Sequence, residues 1–260
     1  MTFTKDALQG QHIVISGGAG ALGIGIVKML TDHGAVMTIN DVLEPVDGIK
    51  RLSAGGIDME RVAYIQADLT QKPEVKRFVE GAVEHFGSIH TALCHAGIVT
   101  TSKLINVEVD QWDTVLAVNL RAAMLLAQMA IRHMLDRGTK GQVIFTSSWV
   151  SETPWPEIGP YHTSKAGMNQ LMRGFARELA ADGIRANAIA PGIVGAGMAK
   201  HQWDTDPGYR ARAQRAIPLG YLQPVETVAN AFLFLCSPAA SYMTGSVLFV
   251  DGGCSLYPMD

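Results

Sequence analysis

Cysteine is scarce in this chain. Cys94, Cys236 and Cys254 stand far apart, are odd in number and form no C-x-x-C pair, which argues against both a disulfide framework and a thiolate zinc site. The eight histidines show no ligand-like spacing either, so no metal is expected. Charge is thin as well: Asp, Glu, Lys and Arg make up 17% of the residues, and 21 basic residues are scattered against 24 acidic ones, a net charge of −3. Without a basic patch, nucleic acid is not an expected partner. Long apolar runs are missing. The most apolar stretch, Ala122 to Ile131, lies between Arg121 and Arg132 and is too short to span a bilayer. The polar opening, Met1 to Gln11, carries Lys5 and Asp6 where a signal peptide would have its apolar segment. The expectation is a soluble, cytoplasmic protein with no membrane partner. No fixed-period repeat, low-complexity tract or linker is found.

What the chain does have is apolar residues in short, regularly spaced blocks. At 260 residues and 48% hydrophobic content it can bury a large core as a single domain, residues 1–260. β-Branched or apolar runs recur at His12 to Ser16, Ala35 to Asn40, Arg61 to Gln66, Ile89 to Cys94, Gln142 to Ser147, Ile184 to Ala190 and Val247 to Val250. Between them lie segments of helical period, such as Val75, Phe78, Val79, Ala82, Val83 and Phe86. Strands joined through helices run parallel with right-handed crossovers. The expected fold is therefore α/β: a Rossmann-type, doubly wound parallel sheet of about seven strands with helices on both faces, binding its ligand beyond the strand carboxyl ends. Pro191 to Pro218 is the least regular region, and about 192–218 reads either as a lid over the ligand or as an ordinary surface excursion.

The segment Ser16-Gly17-Gly18-Ala19-Gly20-Ala21-Leu22-Gly23 follows the first strand and opens a helix running to about His33. Glycines there let the backbone approach a pyrophosphate, and the helix start offers unpaired N–H groups. Asp41 ends the second strand, where a carboxylate accepts hydrogen bonds from adenosine ribose hydroxyls and repels a 2′-phosphate. No neighbouring cation offsets it, so NAD is expected over NADP. Asp68, in Ala67-Asp68-Leu69-Thr70, reads either as a contact to the adenine edge or as a helix N-terminal residue. Tyr161 stands four residues before Lys165, so a helix puts phenol and ammonium on one face and the cation favours the phenolate. Taken alone this spacing is a common coincidence. Ser148, thirteen residues upstream, and the glycine turn make it a candidate general base with its partners.

Together these residues resemble the short-chain dehydrogenase/reductase family over nearly the whole chain. The glycine turn (Gly17, Gly20, Ala21, Leu22, Gly23), Asp41, Asp68-Leu69, Ala96-Gly97, Asn119, Ser148, Tyr161, Lys165, Pro191-Gly192 and Val194 stand in the family's order and approximate spacing. Pro154-Trp155-Pro156, Ile217 to Tyr221 and the end from Ala240 through Asp251-Gly252-Gly253 to Tyr257-Pro258 further resemble bacterial glucose 1-dehydrogenases. The resemblance implies that Tyr161 takes the substrate hydroxyl proton while hydride leaves the same carbon for the nicotinamide. It also implies that Ser148 holds the reacting oxygen, that Lys165 and the positive nicotinamide ring of the oxidised cofactor both lower the Tyr161 pKa, and that Asn119 binds a water linking Lys165 to solvent. It suggests oxidation of an aldose at its anomeric carbon to the lactone. The alternatives are another secondary alcohol, such as a polyol, cyclic diol or 3-oxoacyl group, and a catalytically silent NAD-binding module.

Three departures from the family pattern stand out: Ala21 at the middle glycine, Cys94-His95 where two asparagines brace the sheet, and Ala196 for a threonine on the nicotinamide carboxamide. Val99 occupies a position where glucose-type relatives often have a carboxylate. Trp149, Val150, Trp155, Met198, His201 and Trp203 lie in segments expected around the substrate, with Trp155 equally readable as core. His95 reads as a ligand contact or a satisfied buried histidine, and Cys94 as core. Lys200, His201, Arg210 and Arg212 read as solvated charge. The resemblance finally implies a homotetramer, pairing helices at about Gln111 to Met134 and Tyr161 to Asp182 across one interface and placing the last strand with Tyr257-Pro258 at another.

Overall fold

In a computed structural model that describes residues 3–256, seven strands form one parallel sheet: β1 (His12–Ser16), β2 (Val36–Asp41), β3 (Val62–Gln66), β4 (Thr91–Cys94), β5 (Gln142–Thr146), β6 (Arg185–Pro191) and β7 (Val247–Val250). Their spatial order is β3-β2-β1-β4-β5-β6-β7, so the direction of winding reverses between β1 and β4. The crevice at the carboxyl ends of those two strands is where such a sheet accepts a ligand. The first and last of the seven expected strands match residue for residue, and the others shift by one or two residues. β4 starts at Thr91 rather than Ile89 because the Ile89 peptide N–H is directed to the His133 ring, outside the ladder.

Both faces are covered, which explains why the central strands β1, β4 and β5 are buried along their whole length. On one face α3 (Lys72–Phe86), α5 (Ala122–Arg137) and α6 (Gly159–Leu179) bury Phe78, Leu126, Met134, Met168 and Met172 against Val14, Val143 and Phe145. On the other, α1 (Ala21–Asp32) and α9 (Val225–Cys236) bury Ile26, Leu30, Phe232 and Leu235 against Ile15, Ile39 and Ile144. The short α2 (Pro45–Ala54) adds Leu52 to this second layer.

Two expectations are corrected. The apolar stretch Ala122 to Ile131 is not bounded by its arginines. α4 (Val109–Leu116), a π turn at Ala117–Arg121 and α5 form one continuous helix of 29 residues that by length and composition alone could cross a membrane. Arg121 lies inside it because a long side chain reaches out from an otherwise apolar helix surface at little cost. Its inward residues, Ala123, Leu126, Ala130 and Met134, are buried in the sheet-facing core. Pro191 to Pro218 is more regular than expected, with only 192–196 and 217–218 outside helix or strand apart from the Asp206 cap. It folds as α7 (Gly197–Thr205) and α8 (Pro207–Ala216), and Asp206 caps α8 by accepting the Gly208 and Tyr209 N–H groups, with Pro207 at the first helical position. The Tyr257-Pro258 contact lies outside the described residues.

Away from the crevice, at the amino ends of β1 and β4, three imidazoles meet. His90 Nδ1 accepts the His12 peptide N–H at 3.1 Å, His133 Nε2 accepts that of Ile89 at 3.4 Å, and the His12 ring lies between the Gly87 carbonyl and the Thr38 hydroxyl. Burial, with His90 and His133 nearby, pushes His12 down to about 4. The unfolded chain, at about 6.5, binds the proton first, so the stability this neutral ring supports is complete above pH 6.5 and is lost as pH falls towards 4. Urea titrations of wild type and His12→Gln are expected to show the wild type losing about 2 kcal/mol more between pH 7 and pH 5.

Candidate active site

The crevice begins at the turn after β1. Gly17 adopts φ +69°, and a Cβ there would sit 2.9 Å from Ala96 Cα, so only glycine lets the β1 and β4 loops close on each other. Gly17, Gly20, Ala21 and Leu22 line one side of the cleft, Ala96 and Gly97 its floor, and Pro191, Gly192 and Val194 the opposite edge. Gly23 is corrected from a ligand contact to a packing residue. It lies outside the lining, and a Cβ there would meet the Gly17 carbonyl oxygen at 2.5 Å. Asp41 borders the far end, with one carboxylate oxygen accepting the Val42 N–H at 2.9 Å. Asp68 lines the cleft beside Leu69, and its carboxylate closes the turn before α3 by accepting the Thr70 N–H.

The bracing assigned elsewhere to two asparagines is supplied here by other groups. Ser16 Oγ accepts the peptide N–H groups of His95 and Ala96, each at 3.0 Å, tying the end of β1 to the loop after β4. His95 Nδ1 pairs with Thr146 Oγ1 at 3.0 Å, and its ring meets Phe232 edge-on. Burial, and then the nearby Lys165 charge, pushes His95 down to about 3, so it is a neutral residue on the cleft wall. The Cys94 thiol is buried and donates to the Ala123 carbonyl, and burial raises its pKa, as expected of a core residue.

β5 and α6 bring the reacting groups together. Ser148 follows β5 and accepts the Val150 N–H. Tyr161 lies in the first turn of α6 and Lys165 one turn on, its Nζ 5.5 Å from the Tyr161 ring centre. That ammonium is buried and donates to the Thr146 carbonyl at 2.7 Å, and burial lowers it to about 8. At Tyr161 burial raises the pKa above the ordinary value, and a hydrogen bond with Ser148 opposes the rise. Asn119 lies outside the cleft lining, and its side chain holds Ile98 through both peptide groups and donates to Ser164 Oγ. In this way it fastens the loop after β4 to the catalytic helix.

At the remaining end the cleft is lined by Trp149, Val150, Trp155, Ile158, Met198 and Tyr209, among others. His201 is exposed and outside the lining, and Trp203, also outside it, is half-buried against the cluster around Trp155; Gln202 lines the cleft instead. Neither Gln202 nor Tyr209 was singled out from sequence. The Asp206-Pro207 cap was the available signal for Tyr209, because it sets which face of α8 turns inward.

The arrangement provides a glycine cradle with a helix start for a diphosphate, a carboxylate for ribose hydroxyls, and a serine–tyrosine–lysine set that can hold an alcohol and accept its proton. A family model described as enoyl-(acyl carrier protein) reductase matches residues 17–255, and the chain belongs to the short-chain dehydrogenase/reductase family. It is 36% identical to 3beta-hydroxysteroid dehydrogenase 1 of Eggerthella lenta over 97% of each chain, and 28% identical to glucose 1-dehydrogenase of Gluconobacter oxydans over 97% of this chain and 95% of that one. The crystal structure of gox2181 superposes with a TM-score of 0.91 at 27% identity, covering 98% of this chain and all of that one. The protein is thus an oxidoreductase acting on CH–OH groups, in a family that uses nicotinamide cofactors. Tyr161→Phe is expected to lower kcat about 1000-fold while NADH binding, followed by fluorescence, stays within twofold.

Proposed function

We propose that this enzyme oxidises a secondary alcohol carried on a compact, largely apolar alicyclic skeleton, with NAD as acceptor. The observation that carries the reading is the composition of the substrate end. Tryptophan, valine, isoleucine and methionine line it, and among the described residues the only charged side chains along the cleft are Asp41 and Asp68 at the adenosine end and Lys165 beside the catalytic tyrosine. An apolar ring system loses little on entering such a space. A hexose would leave several hydroxyl groups without partners, each costing about 1–3 kcal/mol. The hydroxysteroid dehydrogenase relative supports the same choice.

The protein's own groups divide the work. Ser148 holds the alcohol oxygen, Tyr161 removes its proton, and Lys165, anchored to Thr146, supplies the positive charge behind the phenolate. The cradle at Gly17 and Gly20 fits a dinucleotide, whose nicotinamide takes the hydride when bound. Asp41 favours an unphosphorylated adenosine ribose, since Lys165 is the cleft's only cation among the described residues.

Oxidation of an aldose to its lactone is kept as a second reading, supported by the glucose 1-dehydrogenase relative and by the Trp149 and Trp155 rings, which suit the face of a pyranose. NADH formation at 340 nm separates the two. Cyclic and fused-ring alcohols are expected to give kcat/KM at least tenfold above any aldose, and NAD at least tenfold above NADP. Activity confined to aldoses overturns the first reading, and equal use of NADP removes Asp41 as the selector.

We further propose a cytoplasmic homotetramer without membrane or nucleic-acid partners. Leu116, Ala117, Leu120 and Met124 meet Gly167 and Leu171 of α6 along an apolar groove flanked by Asp113 and Arg121, a surface suited to an identical pair of helices. Light scattering is expected to give about four times the chain mass; a value of 27.9 kDa overturns it.

A further inference from the structure

Three rings lead away from the catalytic serine. Trp149, next to Ser148, meets Trp155 edge-on with ring centres 5.5 Å apart, and Trp155 meets Tyr209 of α8 at 6.0 Å. Tyr209 is 8% exposed, packed with Ala213, Ile217 and Cys254 in a small apolar cluster, and it lines the cleft. Among the described residues its hydroxyl has no hydrogen-bond partner, and it is not among the side-chain polar atoms sealed from solvent. A hydroxyl open to the cleft and free of protein partners is available to a bound ligand, which takes the place of water there. Along α7 and α8 the other polar side chain that lines the cleft is Gln202, also uncharged and also without a side-chain hydrogen bond among the described residues.

We propose that Tyr209 is a specificity-determining residue whose hydroxyl binds a second, uncharged oxygen of the substrate, at the end of the skeleton remote from the carbon being oxidised. This rests on the alicyclic-alcohol reading and narrows it: the substrate is bifunctional, a hydroxy-ketone or diol rather than a simple cyclic alcohol. The remote group is neutral, since neither α7 nor α8 contributes a charged side chain to the cleft lining. A carboxylate or phosphate there would lose its hydration with no cation to replace it.

Burial also raises the Tyr209 pKa, so the hydroxyl stays protonated, able to donate to a ketone or to exchange hydrogen bonds with an alcohol. The aromatic series between Ser148 and Tyr209 provides the flat wall along which fused rings lie.

The test compares paired probes in wild type and Tyr209→Phe: a 3-hydroxysteroid with a 17-keto group against its 17-deoxo counterpart, and a hydroxydecalone against the corresponding decalol. Wild type is expected to show a KM roughly tenfold lower for the keto-alcohol of a pair, and Tyr209→Phe to abolish that difference with kcat nearly unchanged and the deoxo probe unaffected. NADH binding and the melting temperature serve as controls that the variant is folded. Equal KM values within both pairs in wild type overturn the proposal, as does a Tyr209→Phe variant that weakens both members alike, which would mark a packing role. If none of these alcohols turns over, the alicyclic reading fails. The same variant is then run on whichever alcohol the substrate panel identifies, and an unchanged KM there overturns the role of Tyr209 as well.

Discussion

A single buried ammonium organises this molecule. Lys165 is carried by α6 into the space beside the end of β5, where it is almost wholly removed from water and held by one carbonyl, that of Thr146. Burying a cation so deeply is costly, and the protein meets the cost in part by letting the group weaken to about 8. The helix that carries Lys165 also carries Tyr161, so fixing the cation fixes the phenol, and Ser147 and Ser148 follow Thr146 directly. The same charge helps keep His95 neutral, which leaves the wall of the cleft free of a competing positive group.

This arrangement makes the tyrosine conditional. Burial lifts its proton affinity, and the Ser148 hydroxyl recovers only part of that rise. A phenol in this state does not ionise idly, and positive charge beside it favours the phenolate. The oriented parts are held independently of either ligand: Ser16 ties the loop after β4 to β1, and Asn119 ties it to Ser164 on α6.

Much of this was legible in the sequence, for identifiable reasons. The seven strands were visible because each is short, apolar and bounded by helical period, and the glycine turn because Gly17 has no substitute at its φ and contact distance. Tyr161, Lys165 and Asp41 were legible because their spacing along one helix or at one strand end carries the geometry with it. What was not legible depends on three-dimensional choices between neighbours. His201 and Gln202 are adjacent in sequence, and only the rotation of α7 decides which faces the cleft. The ties from Asn119 to Ile98 and Ser164 were not legible because those partners are remote in sequence. The two helices of 197–216 were hidden by the glycines around them, although Asp206-Pro207 is a regular helix start.

The departures from the family pattern fall into one physical scheme. Replacing two amides by Cys94 and His95 removes several hydrogen-bonding groups from the sheet centre, yet each replacement finds a partner: the thiol donates to Ala123, and the imidazole pairs with Thr146. Thr146 is also the residue whose carbonyl holds Lys165, so the substituted position reaches the catalytic cation through one intermediate residue. Ala196 and Val99 carry the same tendency to the rim, placing a methyl and an isopropyl group in the cleft lining. The polar character withdrawn from the walls is retained at the reacting serine and tyrosine and at the uncharged Gln202 and Tyr209. A cleft built this way discriminates by shape along its walls and by hydrogen bonding at its ends, which is the condition under which an apolar ring skeleton is held in one orientation rather than several.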